Sequence, residues 1–333
     1  YKLKVFMVNT ASRKTKLIWI TSTGFAPEWG EEIRQKYSNV ADFVFIPDIQ
    51  KDIYNKAKDC DALINCPRHI WSDQLLVQLG PRFRWMHVGG AGIEEFLTPG
   101  LIGSDVVFTN GKIIQGPEVA DHALCLLLSI TRRLNLILTG HTLQPFQRPI
   151  ELRGKKALIY GLGGIGMMIV ERLIGFGVKM IGVNPDYVPM TYMLEKVVPP
   201  ELLLEVISDC DIVISASPNT SESYKRFGER EFLAMKKEAY FVNISRGQLV
   251  DVDALAKVMA TGHLAGAGLD VTDPEPLPEK HPLHSLDNVI ITPHIAGLSE
   301  CNRKRSFTLA TENIARFIEG RPLFNIVNKQ LGF

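Results

Sequence analysis

The stretch Lys155-Lys156-Ala157-Leu158-Ile159-Tyr160-Gly161-Leu162-Gly163-Gly164-Ile165-Gly166 decides how the chain is read. A short apolar strand runs into G-x-G-x-x-G, and Met167 to Gly175 continues with helical apolar spacing at Met168, Ile169, Leu173 and Ile174. The glycines have separate jobs. Gly161 takes a backbone angle closed to other residues, Gly163 lets the main chain approach a pyrophosphate, and Gly166 lets helix and strand pack closely. Phosphates would sit on the free N–H groups and positive dipole end of the helix. A glycine-rich turn alone is common; the strand before it and the helix after it turn the motif into a dinucleotide-binding signal.

Such a turn expects an acid about 20 residues on, at the end of the next strand, to hold the adenosine ribose. Here the strand Lys179 to Val183 ends on Asn184, followed by Pro185 and Asp186. Asn can bond a ribose hydroxyl but does not repel a 2′-phosphate, so both NAD and NADP are open as cofactor.

Working outward, a length of 333 residues suggests two domains of ordinary size. Hydrophobic content of 46%, charged content of 22% and a net charge of +1 describe a soluble globular chain with no bias toward nucleic acid or an anionic membrane. Five cysteines without a C-x-x-C pair argue against a disulfide framework, so a reducing cytoplasm is expected. No apolar run approaches the roughly 18 residues a spanning helix needs, and no signal peptide is read. The sequence begins at Tyr1, which leaves a removed leader open.

Leu3 to Val8 reads as an extra strand. Strand patterns follow at Leu17 to Thr21, Asp42 to Ile46, Ala62 to Asn65, Arg84 to Val88 and Val106 to Thr109, with helical patterns between them. That alternation means a parallel sheet covered on both faces. From Gly116-Pro117-Glu118 a helix begins whose apolar residues Val119, Ala123, Leu124, Leu127, Leu128, Ile130, Leu134 and Ile137 cover most of its circumference, so it is expected to be buried on nearly all sides. A second unit then runs through six strand patterns, at Ala157 to Tyr160, Met180 to Asn184, Ile212 to Ala216, Phe241 to Ser245, Ala267 to Val271 and Val289 to Ile291. A last amphipathic helix spans roughly Ser299 to Glu319. The expected fold is α/β: two doubly wound parallel-sheet domains, a flavodoxin-like substrate domain (1–116 plus 298–333) and a Rossmann cofactor domain (117–297). Two chain crossings between them imply a hinge over a cleft.

Three polar residues lie just past strand patterns of the second unit, where ligands collect in open α/β sheets. Arg246, before Gly247, is either a plain surface residue or a planar fork that clamps a carboxylate. Glu275, between Pro274 and Pro276, is either part of a rigid connection or a carboxylate that orients a catalytic base. His294, after Pro293, would be structural if it stood alone. Its company reverses that preference.

These residues carry a resemblance to the D-2-hydroxyacid dehydrogenase family, which includes glyoxylate/hydroxypyruvate reductases, phosphoglycerate dehydrogenases and D-lactate dehydrogenases. It runs from about Leu17 to Arg321 through Gly89-Gly-Ala-Gly92, Glu118-Val-Ala-Asp-His122, Gly161 to Gly166, Asn243-Ile-Ser-Arg-Gly247, Gly268 to Glu275 and Thr292-Pro-His294. The run through Leu283 is most similar to the glyoxylate/hydroxypyruvate reductases. The resemblance implies a hydride transfer between NAD(P)H and a small 2-oxo acid, with His294 as acid/base, Glu275 as its partner and Arg246 gripping the substrate. It further implies carboxylate binding by backbone amides at Gly90, Ala91 and Gly92, pyrophosphate at Gly163, Gly164 and Ile165, and Asp270 at the nicotinamide carboxamide. Asn184 and the Ser217-Pro218-Asn219-Thr220 segment depart from the usual pattern and bear on cofactor contacts, not on chemistry. No metal, nucleic acid or membrane partner is implied, and a homodimer is expected, as in the relatives. A formate dehydrogenase-like enzyme, with Gln for the catalytic Glu, and an NAD(H)-binding corepressor-like protein are the rival readings; a methyltransferase with a G-x-G turn leaves the polar trio unexplained.

Overall fold

The computed structural model describes residues 13–21, 26–47, 53–143, 148–186 and 191–332. The expected strand at Leu3 to Val8 lies outside them. The chain divides into two compact units, Tyr1–Gln115 with Ser299–Phe333, and Gly116–Leu298.

The first unit holds strands β1 (Thr15–Thr21), β2 (Ala41–Pro47), β3 (Ala62–Ile64), β4 (Trp85–Val88) and β5 (Val107–Asn110). Helices α1 (Pro27–Lys36), α2 (Ile53–Lys56), α3 (Asp73–Leu79) and α4 (Pro99–Gly103) intervene. The strands form one parallel sheet in the order β2-β1-β3-β4-β5, the flavodoxin-like 2-1-3-4-5 arrangement. Central strands of such a sheet are buried on both faces and read as continuous apolar runs, as Leu17 to Ile20 does at 0–1% exposure. Local chemistry starts the short helices: Ser72 Oγ accepts from Leu75 N–H at α3, and Thr98 Oγ1 from Leu101 N–H at α4.

The second unit holds β6 (Lys156–Tyr160), β7 (Lys179–Val183), β8 (Lys196–Val198), β9 (Ile212–Ser215), β10 (Tyr240–Asn243), β11 (Gly266–Leu269) and β12 (Val289–Ile291). Its helices are α5 (Gly116–Thr131), α6 (Leu134–Leu138), α7 (Gly164–Gly175), α8 (Leu203–Ile207), α9 (Glu229–Ala234) and α10 (Val252–Ala260). The parallel order β12-β11-β10-β9-β6-β7-β8 is the dinucleotide-binding arrangement with one strand added beyond the sixth. Six strand patterns are evident in the sequence, and the seventh is β8. Of its three residues only Val197 and Val198 are apolar, whereas the equally short β3 and β12 are apolar throughout.

The long helix also differs from expectation. It breaks at Arg133, whose φ of 60° is left-handed. Thr131 Oγ1 bonds back to Leu127 C=O at 2.7 Å and closes the last turn of α5. Val119, Ala123, Leu124, Leu127 and Ile130 are buried as expected and Leu128 is partly buried, whereas Leu134 and Ile137, displaced onto α6, are 43% and 49% exposed.

The final helix, α11 (Asn302–Ile318), belongs to the first unit. Its Ala310, Ile314 and Phe317 pack in one apolar layer with Leu17, Trp19 and Trp85. No described helix is long and apolar enough to cross a membrane.

Candidate active site

The nucleotide turn is built from backbone constraints. Gly161, at φ 97°, lies so near the chain after β9 that a Cβ on it would sit 2.8 Å from Ser217 Cα. A Cβ on Gly166 would fall 1.9 Å from Gly161 O, so α7 leaves the turn in direct contact with it. Gly163, the N-cap of α7, instead faces open space, with nothing within 4 Å of a Cβ position. The next N–H groups, from Gly164 to Gly166, have no intrahelical acceptor and suit an anion. The residues present therefore fit a dinucleotide. Asn184, at the end of β7, accepts from Leu162 N–H through Oδ1 at 3.0 Å and donates through Nδ2 to Asp186 C=O at 2.9 Å. Its carboxamide is thereby tied to the turn.

The polar trio stands past the exits of β10, β11 and β12. His294 Nδ1 and a Glu275 carboxylate oxygen are 2.7 Å apart, and both side chains are two-fifths exposed. The other Glu275 oxygen accepts from Thr272 N–H at 3.4 Å. Arg246 Nη1 donates to Ser245 C=O at 2.7 Å. The loop that carries it is braced by Asn243, which donates to Arg246 C=O and accepts from Ser245 N–H and Oγ–H. Gly247 explains how the β10 and β11 exits meet: a Cβ there would lie 1.9 Å from Thr272 O, so only glycine allows this approach.

Asp270 is 1% exposed, and its partners lie within the protein. It accepts from Thr292 Oγ1–H at 2.6 Å, Ile295 N–H at 2.9 Å and Ala296 N–H at 3.0 Å. Its main-chain carbonyl accepts His294 N–H at 2.9 Å. Burial pushes this carboxyl up, but hydrogen bonds from His122, Thr292, Ala296 and Ile295 outweigh it and hold the group down at about 2. Asp270 thus fastens the loop on which His294 sits. His294 itself has φ 53°, a left-handed conformation that costs a residue with a Cβ about 1–3 kcal/mol.

In the first unit, the Gly89 to Gly92 turn follows β4 and is held by the exit of β5. Gly111 N–H donates to Gly90 C=O at 2.9 Å and Asn110 Nδ2 to Ala91 C=O at 2.8 Å. A Cβ on Gly90 would meet nothing within 4 Å. Among the described residues, no group of three or more His, Cys, Asp or Glu is placed to hold a metal.

Sequence reasoning passes over Asn243, Thr272, Thr292 and His122, although each lies in or beside a motif it singles out. Their roles rest on partners brought together only by the fold: His122 Nε2 meets Thr292 Oγ1 at 3.0 Å across 170 positions of chain.

Residues 124–296 match the family model for the D-isomer specific 2-hydroxyacid dehydrogenase, NAD binding domain. The chain is 31% identical over 296 residues to a glyoxylate reductase of Thermofilum pendens, which covers 86% of each chain. It is 30% identical over 308 residues to one of Korarchaeum cryptofilum, covering 86% of this chain and 88% of the relative. A glyoxylate reductase structure from Paecilomyes thermophila superposes with a TM-score of 0.81 at 21% identity, over 95% of this chain and 99% of the other. The doubly wound nucleotide domain, its glycine turn and these matches agree: the chain belongs to the D-isomer specific 2-hydroxyacid dehydrogenases, a family of NAD(P)-dependent oxidoreductases.

Proposed function

We propose that this chain reduces a small 2-oxo acid such as glyoxylate or hydroxypyruvate to the D-2-hydroxy acid, using NADH or NADPH. The observation that carries the reading is the 2.7 Å bond between His294 Nδ1 and Glu275. With Nδ1–H donated to the carboxylate, Nε2 is the atom left to give a proton to the substrate's carbonyl oxygen as C2 is reduced. Glu275 stabilises the imidazolium before transfer and fixes the ring afterwards. It also separates this site from the formate dehydrogenase pattern with Gln. Arg246 holds the oxo acid through its carboxylate and polarises the carbonyl, and the amides of Gly90, Ala91 and Gly92 add carboxylate donors. The nicotinamide, when bound, supplies the hydride. Gly161, Gly163, Gly164, Ile165 and Gly166 receive its pyrophosphate, with Asn184 and Ser217 flanking the adenosine half. Asp270 faces the nicotinamide carboxamide and also fastens the His294 loop.

A cytoplasmic homodimer completes the proposal. Free cysteines support the compartment. Exposed Leu134, Ile137 and Leu138 on α6 support a self-associating face.

The test is oxidation of NADH and NADPH, followed at 340 nm, with a panel of 2-oxo acids. Turnover is expected with glyoxylate or hydroxypyruvate, and His294→Ala should lower kcat by ~10²–10⁴-fold. Silence across the whole panel, or near-parental turnover in that variant, overturns the reading.

A further inference from the structure

Within the Glu118 to His122 motif, one side chain reaches the His294 loop from a different element. His122 lies on α5 with its side chain 17% exposed. Its Nε2 is 3.0 Å from Thr292 Oγ1 and 3.4 Å from the nearer Asp270 oxygen. Thr292 Oγ1 is in turn 2.6 Å from that same oxygen. The polarity of the relay follows from chemistry. Asp270 can only accept, so the threonine hydroxyl spends its proton on it. The hydroxyl must then accept from His122, which puts a proton on Nε2.

We propose that His122 is a positioning residue for the reaction: through Thr292 and Asp270 it fixes the left-handed turn that aims His294. The inference rests on His294 being the acid, the reading given above. Three bonds from one aspartate bracket the strained residue. Asp270 C=O takes His294 N–H, and the carboxylate takes the N–H groups of Ile295 and Ala296. An Asp270 carboxylate free to rotate would release the last two. The Thr292 hydroxyl, bonded to the same oxygen as Ile295 N–H, and the His122 ring beside it oppose that rotation. An acid displaced by even about 1 Å can cost up to ~10²-fold in rate, so a residue that never touches substrate still sets turnover.

The experiment uses the full chain with His122→Phe, His122→Gln and Thr292→Val. Gln restores an N–H donor at about the reach of Nε2, and Val keeps the threonine's shape without its hydroxyl. His122→Phe and Thr292→Val are expected to lower kcat by about 10-fold or more, with the NAD(P)H dissociation constant within about twofold of the parent. His122→Gln should recover most of that loss. In the cofactor-free protein, the His294 ring resonance, assigned by its loss in His294→Ala, should shift in His122→Phe and return in His122→Gln. Unchanged kcat in His122→Phe and Thr292→Val overturns the proposal, as does a loss that Gln leaves in place or one matched by weaker cofactor binding. If His122→Phe does not fold, Thr292→Val and His122→Gln decide alone. Should His294→Ala keep its turnover, the proposed function has failed; a His294 resonance unmoved in His122→Phe, while the parent is active and His294→Ala is not, marks failure of the positioning role alone.

Discussion

His87, in the middle of β4, is fully buried, with Nδ1 2.8 Å from Thr109 Oγ1 and Nε2 without a partner among the described residues. Burial pushes its imidazole down to about 4. The unfolded chain takes up a proton below about pH 6.5, while the folded chain refuses it until about 4. Stability is therefore lost as pH falls through that window and levels off below it. Between pH 7.5 and 5.0 the loss from this one residue is about 2 kcal/mol. Urea unfolding at the two pH values measures it, and His87→Leu should lack this component of the slope; an equal slope in both proteins refutes the assignment. A second residue bears on cofactor choice. On the proposed placement of Asn184 at the adenosine ribose, Asn184→Asp sets a carboxylate against a 2′-phosphate, so the ratio of kcat/KM for NADH over NADPH should rise by about tenfold or more. An unmoved ratio would mean that this side chain does not face the adenosine ribose. Single residues are where the sequence is both most and least informative. Arg246, Glu275 and His294 are legible because each follows a strand pattern. Asp270, Thr292 and His122 carry equally polar side chains, but their meaning comes from contacts 22 and 170 positions apart.

At the scale of elements, the turn between β6 and α7 shows how a sequence pattern becomes a close contact. The spacing of Gly161 and Gly166 is visible in the sequence; that a Cβ on the second would meet the carbonyl of the first at 1.9 Å is visible only in the fold. Gly166→Ala must push α7 away from the turn, at a cost of about 1–3 kcal/mol for overpacking. Melting and NADH titration should both respond, with a lower midpoint and a weaker dissociation constant. A variant that melts and binds like the parent would show that the helix does not need this contact. The three-residue β3 and β12 are legible because they are apolar throughout, whereas β8, equally short, opens on a lysine and has only Val197 and Val198 to mark it. The break between α5 and α6 leaves no trace in the sequence for another reason. Leu134 and Ile137 continue an apolar pattern, and nothing in Arg132-Arg133 announces that the second arginine adopts φ 60°.

At the scale of the molecule, the two units differ in how the chain builds them. The first is discontinuous, because α11 packs its Ala310, Ile314 and Phe317 on a sheet completed nearly 200 residues earlier. Gly116–Leu298 is one uninterrupted segment with its own seven-stranded sheet, covered by an apolar layer on each face. A segment with a complete core of its own meets the requirement for folding alone. It also carries the glycine turn, Asn184, Arg246, Glu275 and His294, but not the Gly90 to Gly92 amides. The fragment 116–298 is therefore expected to unfold in a single urea transition and to bind NADH or NADPH, yet to reduce no 2-oxo acid. Binding without turnover would place the cofactor's affinity in this unit and make the first unit necessary for holding substrate. Two results contradict the expectation. A fragment that never folds would show that its core is insufficient by itself, and one with parental turnover would deny the amides of the first unit any part in the reaction.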